Sequence, residues 1–146
     1  MRQMFALPGI GVTAVAALLA LASPSYAETV HFTADLKGAS EVPPNQTTGT
    51  GTVTATYDTA TKQLTWKGSY SGLSGPATAA HFHGPAPAGK NAGVALAIKP
   101  ATSPFEGSAT LTDGQAADLM AGNWYVNVHT EANKGGEVRG QLTKKM

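Results

Sequence analysis

The chain has 146 residues, with ten Lys and Arg against nine Asp and Glu, 42% hydrophobic residues and no cysteine. A near-neutral balance, with no basic stripe beyond Lys144 and Lys145, argues against nucleic acid as a partner. The lack of cysteine excludes disulfides, thiolate metal sites and cysteine nucleophiles, which leaves chemistry to His, carboxylates, hydroxyls and Arg, and stability to burial and backbone pairing.

The first predicted element is a leader, Met1 to Ala27. Arg2 precedes an apolar run from Ile10 to Ala22, and Ser25-Tyr26-Ala27 makes a small-x-small cleavage site. That order is the grammar of a secretory signal peptide. It predicts export, cleavage near Ala27, and a periplasmic or secreted domain spanning 28–146 with no membrane span. A membrane anchor is the other reading of such a run, but Gly9, Gly11 and Thr13 dilute it and Pro24 breaks it before any basic stop signal. The remainder has the length of one compact domain with its own core.

Along that remainder, period-two alternation recurs in short blocks between Gly, Pro and Asn clusters, the mark of half-buried strands. Val30, Phe32, Ala34 and Leu36 share one face of the first block, and His31, Thr33 and Asp35 the other. Gly49 to Tyr57 alternates threonines with Val53, Ala55 and Tyr57, and Leu64, Trp66 and Tyr70 mark the next strand after a short polar hairpin at Asp58 to Lys62. Further strands are predicted at Ala79 to His83, Val94 to Lys99, Phe105 to Leu111, Trp124 to Thr130 and Glu137 to Leu142. One helix is predicted at about 112–121: Thr112 and Gln115 form a capping box, Ala116, Leu119 and Met120 an apolar stripe, and Gly122 a stop. About eight short strands and one short helix imply an all-β fold, an antiparallel sandwich or flattened Greek-key barrel. Tyr57, Trp66 and Trp124 fall on apolar faces and are read as core aromatics. The longest irregular segments, Lys37 to Thr48 and Gly84 to Gly93, are placed where recognition usually sits.

The chemistry concentrates on histidine. On a strand, His81 and His83 project from one face, and His129 shares a face with Tyr125 and Asn127, opposite Trp124, Val126 and Val128. If the two strands are neighbours, three imidazoles converge, a donor set suited to copper or zinc with one position open. The plainer reading is a surface strand with satisfied histidines. His31, beside Thr33 and Asp35, is read as solvent-facing. Glu137 and Arg139, an i, i+2 pair with Gln141, form either an ion pair or, with Asn127, the supporting contacts of the histidine cluster, a carboxylate taking a ring N–H and Arg139 holding it. Glu41, beside Pro43 and Pro44, is either a loop charge or a recognition group turned toward a partner. No G-x-S-x-G, Walker-type loop or zincin motif occurs, and Ser71 and Ser74 have no base that spacing identifies.

Phe32 to Leu36, Glu41-Val42-Pro43-Pro44, Ala80-His81-Phe82-His83-Gly84-Pro85, Tyr125-Val126-Asn127-Val128-His129-Thr130 and Gly136-Glu137-Val138-Arg139-Gly140-Gln141-Leu142 follow one another in an order that resembles the CHRD (chordin-type) domain family. The resemblance spans nearly all of the chain after the leader and implies a β-sandwich domain. In chordin the domain sits in an extracellular antagonist of growth-factor signalling, with cysteine-rich modules that this chain lacks. His81-Phe82-His83-Gly84 also resembles the copper-ligand strand of Cu,Zn superoxide dismutases. That likeness implies His81, His83 and His129 as copper ligands and Arg139 as a counterpart of a guiding arginine, although no disulfide and no histidine-rich loop between Gly84 and Gly93 accompany them.

The leading expectation is therefore an exported β-sandwich that binds a metal ion, copper first and zinc second, through His81, His83 and His129. It is expected to bind without turnover. The alternative is a structural or adhesion module that recognises an extracytoplasmic protein or glycan through its two long loops, and the third is a copper-dependent enzyme of the dismutase type.

Overall fold

The computed structural model describes residues 26–146, so the predicted leader lies outside the described residues except for Tyr26 and Ala27. Where the sequence alternates, the chain is extended. Strand β1 (Thr29–Lys37) buries Val30, Phe32, Ala34 and Leu36, and β2 (Thr50–Asp58) buries Val53, Ala55 and Tyr57. They pair antiparallel with Val30 opposite Tyr57 and Leu36 opposite Gly51. A slip of one residue would turn every one of these side chains to water, so the pattern itself fixes the register.

Strand β3 (Gln63–Ser71) returns through the predicted hairpin. There Asp58 Oδ1 accepts from the backbone N–H groups of Ala60 and Thr61 at 2.8 and 2.9 Å, a side chain standing in for the turn's own hydrogen bonding. The remaining strands are β4 (Ala77–His83), β5 (Val94–Ile98), β6 (Phe105–Thr110), β7 (Tyr125–Thr130), β8 (Val138–Gln141) and β9 (Thr143–Lys144). Among the described residues all pairings are antiparallel, in the order β5-β4-β7-β8-β1-β2-β3-β6, with β9 also on β1. The end strands β5 and β6 approach each other, so the sheet curls into a nearly closed barrel or sandwich. The ninth strand is the two-residue continuation of the chain past Leu142.

Helix α1 (Asp113–Met120) starts from the expected capping box. Gln115 N donates to Thr112 Oγ1 at 3.2 Å, and Thr112 N donates to Gln115 Oε1 at 3.0 Å. It ends at Gly122, whose φ of 80° suits a residue without Cβ. Gln115 Nε2 reaches Ala95 O of β5 at 3.3 Å, and because α1 directly follows β6 it ties together the two ends of the sheet. No helix among the described residues is long and apolar enough to cross a membrane.

The barrel interior holds Phe32, Leu36, Phe82, Trp124 and Val126. Trp66 meets Phe82 edge to face at 5.0 Å, and Tyr57, Trp66 and Trp124 are buried as their strand positions predict. Burial of each such side chain contributes about 1.5–3 kcal/mol. With Phe82, Val126 and Val138 turned inward, strand alternation sends the polar residues of β4, β7 and β8 to the outer face. His81 stands opposite Asn127 and Asn127 opposite Arg139, while His83 stands opposite Tyr125 and Tyr125 opposite Gln141.

Candidate metal centre

The outer face of β4, β7 and β8 forms a second, polar layer, because three connections fold over it. Asn91, between β4 and β5, donates from Nδ2 to Val42 O, between β1 and β2, at 3.2 Å. Asn45 Nδ2 donates to Glu137 O, at the β7–β8 turn, at 2.9 Å. The two long loops expected to carry recognition are thus joined to each other and to the sheet.

His81, His83 and His129 converge as the alternation predicts, because β4 and β7 are neighbours and His129 pairs with Ala79, two residues before His81. One nitrogen from each ring lies within 4.8 Å of the others. Two rings are held by carbonyl groups: His83 Nδ1 lies 3.0 Å from Ala92 O, and His129 Nδ1 lies 2.8 Å from Lys134 O. A carbonyl only accepts, so each Nδ1 carries the hydrogen, and the neutral ring keeps a lone pair on Nε2. His129 Nε2 accordingly accepts from His81 Nδ1 at 3.1 Å. His83 Nε2 is buried without a hydrogen-bond partner among the described residues.

This arrangement fits a borderline metal. Nδ1–H to carbonyl contacts are what fix ring orientation at histidine metal sites, and three imidazoles with an open position suit Zn(II) or Cu(II). Three ligands of a tetrahedron at about 2.0–2.1 Å from the ion lie about 3.3 Å apart, so the rings would have to draw in to hold one. His81 and His129, both only partly buried, have room to do so. Burial lowers the pKa of His81, aided by the nearby His129 and His83. Burial likewise lowers that of His83, against the opposing pull of its bond to Ala92. Both rings are thereby kept in the neutral form a metal requires.

The supporting residues depart from expectation. Glu137 and Arg139 do not pair with each other, and neither touches a histidine. Pairing of β8 with β7 begins only at Val138, and the Glu137 carboxylate turns instead toward the loops. It accepts from Ser74 N and Thr47 Oγ1 at 2.9 Å each, Thr130 Oγ1 at 2.8 Å, Asn133 Nδ2 at 2.9 Å, and the Ser74 hydroxyl. Burial pushes its pKa up, but these hydrogen bonds outweigh burial and hold it at about 2. Glu137 is thus the knot that binds three loops to β7. Arg139, 2% exposed, donates to Asn91 Oδ1 at 2.8 Å and to Lys90 O, and lies 3.5 Å over the Tyr125 ring. A guanidinium buried there cannot stand at the mouth of a copper site as a guiding charge.

Glu41 is not a solvated loop charge, since it is 5% exposed. Burial raises its pKa to about 7, against the Arg139 charge and hydrogen bonds from Asn127 and Val42 N. Asn127 lies between Glu41 and His83. A cleft of about 210 Å³ beside Glu41, Arg139 and Gln141 opens on this layer. A larger one of about 370 Å³, over Asp35, Thr50, Thr52 and Ser69, contains none of the histidines; it is a shallow part of the β1–β3 surface. His31 is exposed on β1, as expected.

Sequence reasoning missed the carbonyl anchors Ala92 and Lys134, whose type leaves no signal, and the part of Tyr125. The tyrosine was visible on the right face; its ring stacks on His83 at 4.8 Å and its hydroxyl donates to Ala92 O at 3.2 Å.

The family model of the CHRD domain matches residues 32–142, a span that includes the three histidines with Glu41, Asn127, Glu137 and Arg139. No curated protein and no solved structure matches the chain. The family match covers most of the sequence and follows the fold from β1 through β8, and on that ground the chain belongs to the CHRD domain family.

Proposed function

We propose that this protein is exported and that its CHRD domain binds a divalent metal ion, Cu(II) first and Zn(II) second, through His81, His83 and His129. The observation that carries this reading is the pair of Nδ1-to-carbonyl contacts at His83 and His129, which leaves two Nε2 lone pairs in one triad of nitrogens. Satisfied surface histidines would need no such common orientation. Imidazole-only nitrogen ligation outside a reducing compartment favours Cu(II), at the top of the divalent affinity order. Export rests on the leader pattern of Met1 to Ala27.

The role is binding or homeostasis without turnover. Dismutase-type chemistry gains no support from Arg139, which is buried under Asn91 and Lys90 and away from solvent.

Calorimetric titration of the untagged protein with Cu(II) and Zn(II), beside a His81→Ala/His83→Ala variant, tests the reading. One-to-one binding that is lost in the variant supports it. An absence of binding in the wild type ends it and turns attention to protein or glycan recognition by the loops.

A further inference from the structure

We propose that the side-chain oxygen of Asn127 is a fourth protein ligand of this metal, completing a set of three nitrogens and one oxygen. This inference rests on the histidine reading above and deepens it.

Placement comes from the sheet. Asn127 stands directly opposite His81 in the β4–β7 register and two residues before His129 on the same strand. Cross-strand neighbours and i, i+2 neighbours share a face, so Asn127 lies among the three histidines. It is 3% exposed.

Orientation comes from the amide's two ends. Nδ2 donates to Gly135 O at 3.3 Å, and the Glu41 side chain lies beside it. The turn is shaped for that approach: a Cβ on Gly136 would stand 2.6 Å from Asn127 Nδ2 and 2.2 Å from Glu41 Oε1. With its donor end engaged on that side, the amide leaves its Oδ1 end for the side of His83, a neighbouring side chain.

Chemistry then supplies the conclusion. Asn127 Oδ1 and His83 Nε2 are both buried, and neither has a hydrogen-bond partner among the described residues. His83 has already committed its hydrogen to Ala92 O, so the pair brings together two lone pairs and no proton. Buried acceptors left unmatched are costly, and a positive centre between two such neighbours relieves both. A divalent cation satisfies both at once, along with His81 and His129. One hard oxygen beside three imidazoles, with no sulfur, also disfavours Cu(I) relative to Cu(II) and Zn(II).

The experiment is Cu(II) titration with electron paramagnetic resonance on the wild type and Asn127→Leu, together with Zn(II) titration of isotope-labelled wild type followed by NMR. The expected result is wild-type one-to-one binding, an affinity at least about 10-fold weaker in Asn127→Leu, and an altered copper spectrum in that variant. In the wild type, the Asn127 carboxamide signals should move with Zn(II) along the same saturation curve as the histidine ring signals. A folded Asn127→Leu with unchanged affinity and spectrum, or an unmoved Asn127 carboxamide while the rings respond, overturns the proposal. The NMR arm decides the question even if the variant fails to fold. A wild type that binds neither ion overturns the histidine reading itself, and the two failures are thus distinct.

Discussion

The ring of His83 lies flat on that of Tyr125, with centroids 4.8 Å apart and planes 4° from parallel, and Arg139 lies over the same tyrosine from the strand on its other side. Ala92 completes the arrangement: its carbonyl accepts from both the Tyr125 hydroxyl and His83 Nδ1, while its N–H donates to the hydroxyl at 3.1 Å. Tyr125→Phe keeps the stack and removes both hydroxyl contacts. It should cost about 1 kcal/mol in urea unfolding and weaken Cu(II) binding, because the carbonyl that orients His83 loses its second anchor. Unchanged affinity in a measurably destabilised variant would separate the fold from the site and count against Ala92 as an orienting group.

Glu137 gives the fold an acid limit. Its pKa falls from an ordinary 4.5 to about 2 in the folded protein, so between those values the unfolded chain binds the more protons. Stability from this group is therefore fully present above 4.5 and is lost as pH falls through that window toward 2. Glu137→Gln should remove at least about 2 kcal/mol at neutral pH, since several donors lose a charged acceptor. It should also flatten the pH dependence of unfolding between 4.5 and 2. Urea melts across that range check both; an equally steep acid slope in the variant would assign it to other groups.

Gly136 lies where the β7–β8 turn closes on the polar layer. Its φ is +130°, and any Cβ there would overlap Glu41 Oε1 and Asn127 Nδ2. Gly136→Ala should destabilise by about 3 kcal/mol, combining backbone strain with the clash. Gly135→Ala, a neighbour whose Cβ would meet nothing within 4 Å, should cost far less. Equal losses in the two variants would show that turn flexibility, and not the close approach, matters.

Much of this was legible in the sequence. Strand alternation placed Val30 to Leu36 and Val53 to Tyr57 in the core, because a period of two maps directly onto the two faces of a sheet. The same rule brought His81, His83 and His129 together once β4 and β7 proved to be neighbours. It failed at Glu137, which lies just outside β8, and it does not reach Glu41 in its loop, because outside strands spacing no longer fixes direction. Loops that pack on a polar face can bury a carboxylate when enough donors meet it, as at Glu137, and such meetings join residues remote in sequence. Arg139 was correctly placed on its strand, but its partners are a loop amide and a loop carbonyl.

Proton competition at the histidines supplies the remaining prediction. Burial lowers the pKa of His81 and His83 below the ordinary 6.5, so both rings are neutral in the folded state at pH values where an unfolded chain would have begun to protonate them. By linkage the folded protein binds fewer protons from 6.5 down to those lowered values, and stability contributed by these rings rises with pH through that window. A metal competes with the same protons. Affinity for Zn(II) should accordingly show little change from these two rings between about pH 8 and 6.5, the usual histidine value, and fall in more acidic buffer as they charge. Calorimetry at several pH values, corrected for buffer binding to the ion, measures this. A loss already under way above 6.5 in step with histidine protonation by NMR would mean that His81 and His83 titrate as open surface groups, and the buried, oriented triad would not describe the protein in solution.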